Sequence, residues 1–134
     1  MSSLLKGLRD YHNGGRVSDV MGPIAKDLSR NDMKALAAYF SALPWPAYRE
    51  PAEASSITRA QALDAAGECT SCHREGFVGD SNVPRVANQK LDYLTQTLSD
   101  FRDNKRLNSP AMAAIVRDWS ADDIAAMAHY LAGL

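Results

Sequence analysis

The sequence of 134 residues predicts an all-α fold, on three observations. Apolar residues recur at three- and four-residue spacing in segments that open on serine–aspartate cap signals and stop at Asn-Gly or proline. No segment alternates with period two, and one stretch of helical pattern occurs twice. A length below about 150 residues and a hydrophobic content of 46% bound the chain to one main domain plus an appendage.

Taken in order, Leu4, Leu8 and Tyr11 lie at helical spacing and the pattern stops at Asn13-Gly14-Gly15, which predicts a short first helix. Ser29 with Asp32 three residues later forms a capping-box signal for the next. Met33, Leu36, Ala37, Phe40 and Leu43 form its expected buried stripe, and Pro44 ends it. The stretch "PWPAYREPAEASS" then reads as an extended, semi-rigid connector over residues 44–58. Residues 60 to 66 are expected as a short helix and residues 74 to 87 as loop. Asn88 is expected to cap a helix with Leu91, Leu94, Leu98 and Phe101 on one face. Ser120 and Asp123 cap a last helix carrying Ile124, Met127, Ala128 and Leu131.

Shifted by 91 positions, residues 21–43 lie over residues 112–134 without a gap, and nine of the 23 pairs are identical. Average residue usage yields about one or two by chance. Upstream, an offset of 90 pairs Leu4 with Leu94, Leu8 with Leu98, Asp10 with Asp100 and Arg16 with Arg106, so one inserted residue precedes Met112. The reading is therefore a half-repeat over residues 1–43, a linker over 44–58 and a complete unit over 59–134. The half-repeat lacks a match for the cysteine motif and cannot close a core of its own. It must lean on its neighbour, pair with another chain or stay loose.

Charge and hydropathy exclude whole classes. A formal net charge of -1, from 15 basic and 16 acidic residues, lacks the basic surplus that nucleic-acid or anionic-membrane binders need. The longest apolar runs fall far short of the roughly 20 residues that span a bilayer. The start "MSSLLKGLRDY" has no charged leader, apolar region or small-residue cleavage site, and so does not read as a secretory signal peptide. Two cysteines three apart close too short a loop to stabilise much, so their expected purpose is chemical.

That chemistry is announced by Cys69-Thr70-Ser71-Cys72-His73. The leading reading of Cys-x-x-Cys-His is covalent attachment of a c-type haem. Two thiols three apart on a helical turn face one side, where they can add across the porphyrin vinyl groups, and His73 follows as the proximal iron ligand. Structural zinc needs four ligands, and beyond this motif the chain has only His12 and His129, far apart. A thioredoxin-like dithiol needs a βαβ context that the helical pattern denies. Both distant histidines read as bland, His12 gaining a little from its place at a helix C-terminus.

The sixth iron position separates electron transfer from ligand or peroxide chemistry. Met1 is terminal, while Met33 and Met127 sit at core-facing helix positions, where methionine is usually packing. Met112 follows Pro110 in the irregular "RLNSPAMAAI", some 40 residues past His73, in a loop able to cover the opposite haem face. Met112 and Met21 match in the repeat, whereas Met127 matches Leu36 and Met33 matches Ile124. Met112 is the expected sixth ligand, with a distal histidine or an open site as alternatives.

Together, "CTSCH", "VPRVANQKLDYLTQTLSDFRDNKR" and "MAAIVRDWSADDIAAMAHYLAGL" resemble a bacterial class I cytochrome c, in particular the two-domain dihaem proteins of the cytochrome c4 type. The resemblance covers residues 60 to 134 as a complete haem domain and 3 to 43 as the second half of a preceding one. It implies a class I cytochrome c fold around one covalently bound haem c, with Cys69 and Cys72 as thioether attachments and His73 and Met112 as axial ligands. It also implies that the Pro84 carbonyl takes the proton of the other His73 nitrogen, and that the protein works in the periplasm. Two features depart from the family pattern. "REGFVGDSN" follows the histidine where glycine-rich sequence is usual, and Asn88 replaces a usual glycine. Met21 is left without a haem and is expected to pack locally or lie exposed.

The functional expectation is a one-electron carrier, not an enzyme, whose partners are redox proteins met transiently or a dehydrogenase or oxidase of which it is a subunit. Oligomerisation through the half-repeat belongs to the same expectation. The rival classes are a haem enzyme or gas sensor with a labile sixth ligand, and a haem-free helical interaction module. Lys90, Arg102, Lys105 and Arg106 are weighed as a partner-docking rim against a simply solvated helix face.

Overall fold

A computed structural model of the chain describes residues 2–46 and 49–134. Met1 lies outside the described residues, as do Ala47 and Tyr48 in the proline-rich connector. Among the described residues eight α-helices follow one another. They are α1 (Ser3–His12), α2 (Met21–Lys26), α3 (Arg30–Ala42), α4 (Ala54–Gly67), α5 (Cys69–His73), α6 (Leu91–Arg102), α7 (Pro110–Val116) and α8 (Ala121–Ala132), with one 3-10 turn at Glu75–Phe77. The sole extended pairing among them is an isolated bridge between Asp80 and Val83.

Helix α8 is the centre of the second unit because its apolar residues recur at i, i+3, i+4 and i+7, as Ile124, Met127, Ala128 and Leu131. That stripe is covered by α4 and by α6. Ala60 of α4, Leu94, Leu98 and Phe101 of α6, Val116 of α7, and Phe77 and Ala87 from the intervening loop complete the cluster. Burying each large aliphatic or aromatic side chain there contributes about 1.5–3 kcal/mol.

The two expected capping boxes are both formed. The Ser120 hydroxyl accepts from the Asp123 amide at 3.1 Å and the Ser120 amide donates to the Asp123 carboxylate at 2.8 Å. At the start of α3 the Ser29–Asp32 pair makes the same two bonds, at 3.1 and 3.0 Å. The repeat extends to finer detail. The Arg16 and Arg106 amides each donate to the carbonyl six residues before, Asp10 and Asp100, at 3.0 Å. Ser18 caps Met21 at 3.1 Å as Ser109 caps Met112 at 3.5 Å.

Burial breaks the equivalence. Of the predicted α3 stripe only Met33 and Ala37 are buried, Leu36 is half-buried, and Leu43 is exposed. Phe40 is 53% exposed where its match, Leu131, is 4% exposed, and Leu4 is 42% exposed against 4% for Leu94. The reason is topological: α3 packs on α1, and no helix of the described residues lies on it as α4 lies on α8. Met21 starts a short helix and is half-buried.

The half-repeat leans on the second unit through a polar seam. The Lys6 ammonium donates to the Asn108 carbonyl at 3.2 Å, and the Asn108 amide donates to the Asp10 carboxylate at 2.7 Å. Arg16 and Arg106, equivalent in the repeat, both donate to the Tyr93 hydroxyl, at 2.6 and 3.4 Å. Burial raises the Tyr93 phenol pKa, but the charge of Arg16 and the hydrogen bond and charge of Arg106 outweigh it and leave the phenol more acidic than usual.

Four expectations change in structure. Helix α4 starts at Ala54, within the stretch read as linker to residue 58, and so runs six residues further at its N-terminus than residues 60 to 66. The described part of the connector is packed, not merely extended. The Glu50 amide donates to the Ala132 carbonyl at 3.2 Å, and a side chain on Gly133 would meet the Glu50 carbonyl at 2.9 Å. Met112 lies in the first turn of α7, not in a loop, because Ser109 caps and Pro110 starts that helix. Asn88 does not cap α6, whose N-cap is Lys90 without a side-chain bond. Asn88 instead adopts a left-handed φ of 56°, donates to the Pro46 carbonyl at 2.5 Å and accepts from the Trp45 indole at 3.1 Å. Asparagine tolerates that conformation better than other residues with a side chain, which accounts for its standing where the family usually has glycine.

The Ser120 amide, then Arg59, then the Ser120 hydroxyl hold the Asp123 carboxyl below its usual range. A depressed folded pKa contributes stability that is complete above the unfolded value of about 3.9 and is lost as pH falls through the folded value. Denaturant titration is expected to show Ser120→Ala destabilised by about 1 kcal/mol at pH 7, and Asp123→Asn less stable at pH 7 with a shallower loss on acidification.

Candidate functional site

The site begins where α4 ends. Glu68 closes that helix in the left-handed region, with φ 50° and ψ 39°, and so starts the single turn of α5 in a new direction. On this turn Cys69, Cys72 and His73 fall at i, i+3 and i+4, the spacing that gathers side chains on one side of a helix. Cys69 packs against the core cluster, Cys72 is exposed, and His73 is buried, with 8% exposure. Both thiols are free. Burial first, then the Asp64 carboxylate, pushes the Cys69 thiol up to about 11, so it is protonated at neutral pH. Asp64 also accepts from the Thr70 amide at 3.3 Å, which joins α4 to the start of α5.

The segment after His73 is ordered by hydrogen bonds to itself. The Gly79 amide donates to the His73 carbonyl at 2.8 Å, Asp80 and Val83 exchange backbone bonds at 3.0 and 2.8 Å, and the Val86 amide donates to the Phe77 carbonyl at 3.0 Å. Arg74 reaches across to Asp80 at 2.6 Å. This fold-back brings the Pro84 carbonyl to 2.9 Å from His73 Nδ1. A carbonyl can only accept, so Nδ1 carries the hydrogen and Nε2 keeps the lone pair that an iron ligand needs. Gly79 makes the turn feasible: its φ is +76°, and a Cβ there would lie 2.4 Å from the Arg85 amide nitrogen.

Met112 stands on α7, half-buried, packed against the same core cluster as Cys69. Met33 and Met127 are buried in their helices as packing residues. His129 is half-buried on α8, and exposed His12 donates from Nδ1 to the Ala25 carbonyl at 2.8 Å, tying α1 to α2. The expected basic rim is only partly free. Arg102 pairs with Asp103 at 2.8 Å, Lys105 lies 3.9 Å from the same carboxylate, and Arg106 lies over the Phe101 ring and donates to Asn108 at 2.9 Å, while Lys90 is exposed. Gly79 and Asp64 were missed by motif reasoning. A Gly-Asp pair after the motif signals a turn, but nothing local ties Asp64 to Cys69.

The donor set suits haem c and no bare metal ion. Two thiols and one imidazole whose Nδ1 is already bonded occupy one turn, and among the described residues no group of three or more His, Cys, Asp or Glu gathers to hold an ion. Next to the turn, between α4 and α7, opens a cleft of about 300 Å³ lined by Leu63, Ala66, Gly67, Glu68, Ile115 and Trp119.

Comparison with known proteins gives the same assignment. Residues 57–134 match the family described as cytochrome c. The thiosulfate dehydrogenase electron acceptor of Stutzerimonas stutzeri (strain A1501) is 32% identical over 146 aligned positions, covering 96% of this chain and 65% of that protein. Cytochrome c4 of Thiocapsa roseopersicina is 33% identical over 144 positions, covering 98% of this chain and 73% of the relative. The chain thus spans 65 to 73% of the length of these two relatives. The crystal structure of reduced recombinant cytochrome c4 from Pseudomonas stutzeri superposes with a TM-score of 0.87 at 27% identity, over 98% of this chain and 80% of that one. Since the match takes in more than half of the residues, and every element from α5 to α8 with most of α4, the chain belongs to the cytochrome c family: it is a class I cytochrome c resembling the cytochromes c4, a family of haem-carrying electron-transfer proteins.

Proposed function

We propose that this protein is a one-electron carrier with a single haem c, attached through Cys69 and Cys72 and ligated axially by His73 and Met112. The observation that carries the reading is the 2.9 Å bond from His73 Nδ1 to the Pro84 carbonyl. It fixes the tautomer and the ring plane and makes Nε2 a stronger donor. Haem c, when bound, supplies a couple between ferric and ferrous iron. The chain's own residues do the rest. The thiols would tether the group, the buried imidazole and the Met112 thioether would ligate its iron and leave no position open to a substrate, and the α8 core would back the site with apolar side chains.

In this reading residues 59–134 form the haem unit, and residues 1–43 are a half-repeat without a Cys-x-x-Cys-His motif, hence one haem per chain. The partners are redox proteins, or a dehydrogenase whose electrons it accepts, as the name of the S. stutzeri relative describes for that protein. Haem attachment places the work in the periplasm. No helix of the described residues is long and apolar enough to cross a membrane.

Mass spectrometry of the denatured chain is expected to show the mass of one haem retained, and none in Cys69→Ala/Cys72→Ala. The ferric protein should show the charge-transfer band of methionine sulfur on iron, which Met112→Ala should abolish while lowering the potential; a native protein without that band refutes the ligation. Gly79→Ala must displace the Pro84 and Arg85 backbone, at a cost of about 2–3 kcal/mol by chemical denaturation. Weakening the bond to His73 lowers the donor strength of Nε2, which favours ferrous iron, so the potential of this variant should rise.

A further inference from the structure

We propose that Lys6 and Asp10 of α1 are positioning residues for the sixth-ligand side of the haem site: they grip Asn108 and thereby hold the turn that carries Met112. The inference rests on the proposed ligation by Met112 and deepens it.

Three polar groups of Asn108 are engaged in one place. Its carbonyl accepts from the Lys6 ammonium at 3.2 Å, its side-chain amide donates to the Asp10 carboxylate at 2.7 Å, and its side-chain oxygen accepts from Arg106 Nε at 2.9 Å. Lys6 and Asp10 are themselves an ion pair one helical turn apart, and both are half-buried. The next residue, Ser109, is the N-cap of α7, and its hydroxyl accepts from the Met112 amide. A continuous chain of bonds therefore runs from α1 through Asn108 and the cap to the ligand's own backbone.

Beyond these bonds the turn is held by the packing of Met112 and Ile115 against the core cluster. Between α6 and α7 the backbone is fastened by the Lys105 and Arg106 amides, which donate to the Asp100 carbonyl at 2.8 and 3.0 Å, and Leu107 then turns its side chain to solvent. Asn108 is the last anchor before the cap. Opening of this segment is the motion that would let an external ligand replace the thioether, so each bond lost at Asn108 makes that motion more frequent. The grip is also a departure from the repeat. Between Arg106 and Ser109 stand Leu107 and Asn108, where only Val17, which is 85% exposed, stands between Arg16 and Ser18, so the first copy has no side-chain group there to return the contact to α6. The half-repeat steadies the Met112 turn.

The test uses the full-length ferric holoprotein and compares Asp10→Ala with Asp10→Asn, whose amide oxygen still accepts from Asn108. Two quantities are read, the rate at which imidazole displaces the methionine-to-iron band and the hydrogen exchange of the amides of residues 109 to 113. The expected result is that Asp10→Ala speeds both by about fivefold, that Asp10→Asn stays within twofold of the native protein, and that Asn108→Ala reproduces Asp10→Ala. Unchanged amide exchange in Asp10→Ala overturns the proposal whether or not Met112 binds iron. Faster exchange with an unchanged imidazole rate overturns it too, since the turn would then be held without effect on the ligand. A native protein that lacks the band refutes the ligation itself, and with it the positioning role.

Discussion

The burial of α8 between α4 and α6 is the constraint from which the rest of the second unit follows. With Ile124, Met127, Ala128 and Leu131 on one stripe, α8 cannot be satisfied by a single neighbour, and the chain supplies one from each side of the cysteine motif. Helix α4 precedes the motif and α6 follows it. The polypeptide between them carries the thiols and the imidazole, and the loop that follows them is attached to α8. The capping box at Ser120 fixes where α8 begins, so the helix meets its neighbours in a definite register.

The orientation of His73 is settled from the same helix. Phe77 is buried and meets Tyr130 of α8 edge-on, with ring centroids 6.0 Å apart, while the Asn88 amide donates to the Leu131 carbonyl at 2.8 Å. These two attachments fasten both ends of the loop after the motif to the C-terminal turns of α8. Between them the chain has to fold back tightly, which Gly79 permits, and the fold-back delivers the Pro84 carbonyl to Nδ1. A packing decision on one helix thus reaches the donor strength of the imidazole through fewer than a dozen residues.

Much of this was legible in the sequence, and the parts that were not share a cause. The capping boxes, the Cys-x-x-Cys-His turn and the 91-residue repeat are local patterns with fixed spacing, and each appears where the pattern put it. The predicted stripe on α3 was sound as periodicity but wrong as burial, because periodicity says which face is apolar and not whether a second helix covers it. Asn88 carries a cap-forming side chain, yet its left-handed backbone is dictated by the crossing of the connector at Trp45 and Pro46. Met112 was placed in a loop because a proline precedes it, although proline in the first helical position starts helices as readily as it ends them. The Asp10–Asn108 contact joins residues 98 apart in sequence and left no local trace.

The unequal burial of the two copies also defines what the first copy contributes. Lys6, Asp10, Arg16, Tyr93, Arg106 and Asn108 make a polar seam, and seams of this kind resemble contacts between domains rather than the interior of one. Its contribution to the global stability of the haem unit is correspondingly small, since exchanging water for protein hydrogen bonds nets only about 0.5–1.5 kcal/mol apiece. What such bonds do supply is direction. The Arg16 and Arg106 guanidinium groups both converge on the Tyr93 hydroxyl, and Arg106 also donates to Asn108, so any shift of α1 against α6 has to break several angular contacts at once. The half-repeat therefore acts on the haem unit as a clamp on geometry at the Met112 turn, while the hydrophobic core that holds the unit together lies around α8, on elements the half-repeat does not enter.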